Sequence, residues 1–201
     1  MGKERLMKYI NSIVELLPHV EARIAAAFVE EKHPKRTILE KQNTVCNKLY
    51  FVEKGLARLF YQKEGKDITG WFASEGNFIT CNDSFFQKKT TYLNLELLED
   101  AILYSIDYKS LNDLFELKEM ERFARLLTYN LLSELSERIY STVFQPAEKR
   151  YQLLVVRYPE VALRAPLGDI ASYLGISQET LSRIRSQQST RSKSKQGVYN
   201  S

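Results

Sequence analysis

The 201-residue chain has few of the residues that build metal and redox centres: two cysteines, two histidines and one tryptophan. Cys46 and Cys81 stand thirty-five positions apart with no histidine or second cysteine beside either, which excludes the spacings of an iron–sulfur cluster or a zinc knuckle. They read as buried free thiols; a redox pair would require the fold to bring them together. His19 and His33 both fall in the first forty residues, so a metal enzyme that gathers several histidines inside a β-barrel has no ligands to use. Nowhere do eighteen apolar residues follow one another, and MGKERLMKYINSIVELL lacks an apolar run of signal-peptide length, so a cytoplasmic protein with no membrane partner is expected. Without secretion the sequon at Asn82, Asp83 and Ser84 carries no meaning. Gly65 and Lys66 lack the earlier glycine and the following hydroxyl of a phosphate loop. No nucleophile motif, metal or cofactor stands out, and no enzyme is expected.

What is present is the composition of a soluble globular protein, 44% apolar and 27% charged. The charge is unevenly spread. Residues 145–201 hold nine Lys and Arg against four Asp and Glu, whereas residues 1–144 hold twenty against twenty-one. All the positive excess therefore lies in the last quarter, where phosphates would be attracted.

Residues 1–31 read as helical, with Leu6, Ile10, Ile13, Val14 and Leu17, then Ile24 and Phe28 beyond a break at Pro18. The texture then changes to short segments rich in β-branched and aromatic residues: KRTILEKQ, KLYFVEKG, LARLFYQ, DITGWFAS, NFITC, LNLELL and AILYSID, divided by turn signals such as Gly55 and Gly65. About eight short strands in so short a stretch predict an antiparallel β-roll or jelly roll over residues 1–110, in an α+β protein. Helical spacing returns at residues 111–144, where Met120, Phe123, Leu127, Leu131, Leu135 and Ile139 recur at three and four. Leu126 and Leu132 add apolar surface on a second side. One face would lie on the roll, and the other is expected against the same helix of a second subunit, in a homodimer. The last sixteen residues are rich in Ser, Gln and Lys without periodicity, and residues 187–201 read as a flexible basic tail.

Between helix and tail lies DIASYLGISQETLSRIR, residues 169–185. Ile170, Leu174, Ile176, Leu181 and Ile184 form the apolar side of two short helices; Gly175 suits the turn and Ser177 the N-cap of the second. Ala171 is small where the helices would cross. The pattern is that of a helix-turn-helix unit over residues 145–186 whose second helix enters the DNA major groove, exposing Gln178, Glu179, Ser182, Arg183 and Arg185. A hairpin buried in a core would show the same spacing.

The order of elements resembles the Crp/Fnr family of bacterial transcription regulators, the cyclic-AMP receptor protein type, over almost the whole chain. LYFVEKGLARLF at residues 49–60 is similar to the family's strand, turn and strand; WFASEGNF at 71–78 resembles the approach to its phosphate-binding cassette; LGDIASYLGISQETLSRI at 167–184 resembles its DNA-reading unit. The resemblance implies double-stranded DNA with an inverted repeat as partner, RNA polymerase as a further one, and a small effector of unidentified chemistry. That effector would touch Trp71, Phe72, Gly76, Asn77, Phe78, Thr90 and Thr91, with Ser136 reaching in from the long helix. Two departures stand out. Nucleotide-binding members place a glutamate after the cassette glycine and an arginine before a Ser or Thr; here Asn77 follows Gly76, and Lys88 and Lys89 precede Thr90. Asparagine supplies no carboxylate and lysine no planar fork, so cyclic AMP is not expected to bind in the usual manner. The family's two-stranded wing is replaced by the polar tail, leaving its phosphate contacts to Arg191, Lys193 and Lys195 or to nothing.

On the second helix, the resemblance gives base contacts to Arg183 and Glu179, an adenine preference or a phosphate contact to Gln178, and backbone contacts to Ser177, Thr180 and Arg185. An i, i+4 surface ion pair is the alternative for Glu179 and Arg183. A ligand-binding or protein-interaction module that fails to bind DNA specifically is the alternative for the whole.

Overall fold

The computed structural model describes residues 3–196, with side chains through Gln187. It divides into two compact units, Met1–Ile139 and Tyr140–Ser201.

The first unit opens with two helices, α1 (Glu4–Asn11) and α2 (Pro18–Ala27), and continues into eight strands. These are β1 (Val29–His33), β2 (Ile38–Glu40), β3 (Lys48–Lys54), β4 (Ala57–Lys63), β5 (Lys66–Ala73), β6 (Phe78–Ile79), β7 (Asn94–Leu97) and β8 (Ala101–Asp107). They form two antiparallel four-stranded sheets, ordered β1-β8-β3-β6 and β2-β7-β4-β5. This is the β-roll expected from the strand texture, and β8 coincides with AILYSID. The helical reading of residues 1–31 is corrected at its end: Val29, Glu30 and Glu31 begin β1, which pairs with β8 at the edge of its sheet.

Local chemistry fixes the turns. Gly55 joins β3 to β4 at φ +113, and a Cβ there would stand 2.9 Å from that of Ala101, so both conformation and space demand glycine. Glu64 and Gly65, both at positive φ, make a two-residue hairpin between β4 and β5, matching the twist of its strands. A short helix, α3 (Asn82–Gln87), follows β6; α4 (Tyr108–Phe115) follows β8, with Asp107 as its N-cap accepting from the Ser110 N–H at 2.9 Å.

The long helix α5 (Lys118–Phe144) starts seven residues later than the sequence suggested, because the chain breaks after Phe115. The second unit continues with α6 (Ala147–Arg157), α7 (Pro159–Arg164), α8 (Leu167–Leu174) and α9 (Gln178–Gln196). Here the expected tail is corrected too, since α9 runs on to Gln196; residues 197–201 lie outside the described part of the chain. Among the described residues no helix is long and apolar enough to cross a membrane.

Strand alternation separates the two faces of each sheet. In the first, Tyr50, Ser105 and Ile79 are mutually opposed and face inward, since the Tyr50 hydroxyl reaches the Glu40 carboxylate of the other sheet at 3.2 Å. Phe51, Phe78 and Tyr104 point the other way. There Phe51 and Phe78 meet Tyr9 of α1, and Phe78 meets Phe123 of α5, at ring separations of 5.1 to 6.2 Å.

Candidate nucleic-acid interface

The geometry of the second unit is set at Gly175. Its φ of +65 ends α8 in the left-handed region; the Ile176 N–H donates to the Ala171 carbonyl at 3.0 Å and the Gly175 N–H to that of Ser172 at 3.1 Å, a Schellman closure. Arg150 of α6 seals the same end, donating from Nε to the Leu174 carbonyl at 3.1 Å and from Nη1 to the Gln145 carbonyl at 2.8 Å. Ser177 then opens α9, its Oγ accepting from the Thr180 N–H at 3.2 Å and lying 3.1 Å from the Thr180 hydroxyl.

From there the helix has two sides. Leu181 and Ile184 are buried, as are Ile170, Ala171 and Leu174 of α8 beneath them. On the far side Glu179, Ser182 and Arg183 are exposed and, with Gln178 on the flank and Leu167, Ser186 and Gln187, line an open groove. Gly168 allows Gln178 to lie over α8: a Cβ there would come within 2.9 Å of Gln178 Nε2. The Glu179 carboxyl is held below its usual range by the Ser177 hydroxyl. No ion pair joins it to Arg183 among the described residues, which removes the surface-pair reading and leaves the guanidinium open to solvent.

Arg185 requires correction. Sequence reasoning gave it a phosphate, but its Nη2 donates to the Ala162 carbonyl of α7 at 3.1 Å and its guanidinium stands 5.5 Å from the centre of the Tyr151 ring of α6. Its buried Nε has no partner. The side chain fastens α9 to the helices behind it. Helical spacing carried this signal, since Arg185 lies four residues after buried Leu181. Arg191, Lys193 and Lys195 lie on α9, with side chains outside the described residues.

The residues proposed for an effector pocket do not gather. Trp71 opposes Leu59 while its neighbour Phe72 opposes Arg58, so they lie on opposite faces of one sheet. Phe78 belongs to the aromatic cluster against α1 and α5. Asn77, after Gly76 in the β5–β6 turn, turns its amide back on the Ser74 and Glu75 carbonyls at 3.2 and 3.4 Å. Thr91 is buried and accepts from the Leu93 N–H, whereas Thr90 is exposed. Ser136, also exposed, donates to the Leu132 carbonyl of its own helix at 2.9 Å. Lys88 leans over the Tyr108 ring at 4.0 Å, and so serves packing rather than a phosphate clamp.

The expected dimer face divides as well. Met120 and Phe123 are buried in the roll's own core, and Leu127 packs against it. Leu131 is half-buried, while Leu135 and Ile139 are exposed. They share the helix with further exposed apolar groups: Tyr129, Leu132, Tyr140, Val143 and Phe144. The first two turns were assigned to a partner because periodicity alone does not say which surface an apolar stripe meets.

Sequence reasoning missed the ion pairs of the roll. Glu31 accepts from Lys48 Nζ at 2.6 Å, from the Ser105 hydroxyl, and from His33 Nε2 at 2.9 Å. Burial works to raise its carboxyl, but those bonds outweigh it and bring it to about 2. Arg58, on the outer face of the second sheet, is bound by Glu96 at 2.7 Å and Asp67 at 2.8 Å above the Phe60 ring. Among the described residues no cluster of three or more His, Cys, Asp and Glu is arranged to hold a metal ion.

Residues 30–118 match the cyclic nucleotide-binding domain family. FixK2 of Bradyrhizobium japonicum has a similar structure, with a TM-score of 0.72 at 20% identity over 82% of this chain and 86% of its own. A CooA mutant of Carboxydothermus hydrogenoformans gives 0.67 at 20% identity, over 84% and 79%. A putative Crp/Fnr-family transcriptional regulator of Eubacterium rectale gives 0.64 at 18% identity, over 85% and 82%. No curated protein is similar enough in sequence to count as a relative. Residues 30–118 thus resemble the cyclic nucleotide-binding domain family, and the chain shares its fold with FixK2 and the putative Crp/Fnr-family regulator.

Proposed function

We propose that this chain is a transcription regulator that binds double-stranded DNA sequence-specifically as a homodimer. The observation that carries the reading is the division of α9: Leu181 and Ile184 are buried against α8, while Glu179, Ser182 and Arg183 are exposed on the opposite side. A helix so mounted can lay its first turns along a major groove, where a guanidinium meets guanine O6 and N7 together and a carboxylate accepts from a cytosine amino group. Arg183 and Glu179 are the base readers. Ser177 and Thr180 offer hydroxyls to phosphate, and Gln178 reaches the groove's edge from its seat over Gly168.

Dimerisation rests on the second half of α5. Leu132, Leu135, Ile139 and Val143 recur at three and four, all exposed, and a second copy of the same stripe would bury them. Replacing Leu135 and Ile139 by glutamate gives a monomer by light scattering; a dimer that survives both changes shows that another face assembles the protein.

Selection of DNA ligands from a random pool tests the whole reading. It returns an inverted repeat with half-sites about one helical turn, roughly 34 Å, apart. A pool that stays random, or an Arg183→Ala variant that selects the same sequence as the parent, removes α9 as the reader.

A further inference from the structure

Gly168 stands where no turn calls for a glycine. It is the second residue of α8 and does not have a positive φ, and glycine in a helix costs backbone entropy that alanine would not. What needs the missing Cβ is Gln178, the first residue of α9. A Cβ on Gly168 would lie 2.9 Å from Gln178 Nε2, 3.5 Å from its Cδ and 4.0 Å from its Oε1, and no other side chain would stand closer. The glycine therefore makes room for one group, the carboxamide of Gln178 laid across the first turn of α8.

The start of α9 is fixed by the closure of α8 on Gly175 and by the Ser177 cap. From that start neighbouring side chains diverge: Glu179 and Arg183 are exposed on the side opposite Leu181 and Ile184, whereas Gln178 is turned toward α8. In a helix-turn-helix the first helix crosses the DNA backbone while the second lies in the major groove. An amide laid over the first turn of α8 would thus sit at the groove's edge, short of the bases. To pair with adenine N6 and N7 together, a glutamine must instead extend from the second helix into the groove.

We infer that Gly168 determines specificity: by seating the Gln178 amide on α8 it holds that residue off the bases and leaves base reading to Glu179 and Arg183. This rests on α9 being the DNA-reading helix, as proposed above. Gly168 acts through Gln178, as a positioning residue. The close approach is to the far end of a side chain with several free torsions, so a methyl group at residue 168 empties the seat without moving either helix. The displaced Gln178 then extends into the groove and gains adenine as a bidentate partner at one further position in each half-site.

The test uses four full-length chains, the parent, Gly168→Ala, Gln178→Ala and the double variant, each used to select DNA from a random pool and each unfolded by heat under circular dichroism. The parent and Gln178→Ala should select the same inverted repeat. Gly168→Ala should select that repeat with adenine preferred roughly tenfold at one added position per half-site, within the range of one bidentate base contact. The double variant should lose the added preference, and Gly168→Ala should melt no lower than the parent. A Gly168→Ala chain that selects as the parent does, or melts lower, overturns the seat. A changed selection by Gln178→Ala shows that Gln178 already reads a base, and an adenine preference that persists in the double variant shows that another residue carries it; either overturns the inference. These outcomes differ from failure of the underlying reading, in which the parent itself selects no repeat and α9 and its seat fall together.

Discussion

In the roll, Arg58 is 6% exposed and enclosed by two carboxylates and an aromatic ring, whereas in the helical unit Arg183 stands in solvent on the free side of α9. The same side chain is a structural member in one unit and an unused contact in the other. Glu31, bonded by three side chains and brought to about 2, has its counterpart in exposed Glu179, touched only by its own helix start. The roll thus uses its ionisable groups on itself, and the helical unit leaves several of its own available to a partner. Excess positive charge alone would have overstated that availability: of its nine basic residues, Arg150 and Arg185 are consumed in holding helices together and Arg164 pairs with Glu160.

The largest effect expected from breaking this contrast is at Arg58. Arg58→Ala leaves Glu96 and Asp67 facing each other without their cation, and removal of one partner from a buried pair costs about 3 to 5 kcal/mol. Urea unfolding followed by circular dichroism should show that loss in the midpoint, whereas Arg183→Ala should stay within about 0.5 kcal/mol of the parent. Equal losses at the two sites would mean that Arg183 is structural too.

Second in size is a pH effect from the roll's interior. Glu40 has a folded value near 7, above its unfolded one of 4.5, so its contribution is fully present below the unfolded value and is lost as pH rises toward 7. Glu31 works in the opposite direction, its stabilisation being lost as pH falls from about 4.5 toward 2. Glu40→Gln should therefore remove the decline between about 4.5 and 7, and stabilise the protein at pH 8 by on the order of 1 to 3 kcal/mol. Unfolding at pH 5 and pH 8 measures it. A variant as pH-sensitive as the parent would mean that another group carries the charge.

Much of the architecture was legible in the sequence because the roll's strands declare themselves by β-branched and aromatic content, and AILYSID marks β8 residue for residue. VEEKH does not, because β1 is an edge strand whose Glu31 and His33 face polar partners rather than a hydrocarbon core. The far half of α9 escaped for a related reason: a helix rich in Ser, Gln and Lys shows no apolar period. Of the residues proposed to face DNA, those on the side opposite Leu181 and Ile184 are exposed, as the helical spacing implied, and Arg185 was misread because charge was given more weight than its position on the buried side. The effector residues fail on strand alternation, since Trp71 and Phe72 are neighbours on one strand and cannot both face one cavity.

The smallest expected effect lies at the start of α9, where the contrast between the units can be sharpened within one residue. Ser177 accepts from the Thr180 N–H and so satisfies one of the free donors at the N-terminus of α9. Ser177→Ala removes that bond and should cost about 1 kcal/mol of stability, as N-cap losses do, and Ser177→Gly only a few tenths because glycine suits the cap backbone. If the hydroxyl also meets a DNA phosphate, both variants lose the same contact whatever their stability. Thermal unfolding should therefore rank them alanine below glycine, while titration with the selected inverted repeat should weaken them alike and show a smaller salt dependence of affinity than the parent. An affinity that follows stability instead, with glycine close to the parent, would confine Ser177 to capping and leave the phosphate contact to Thr180.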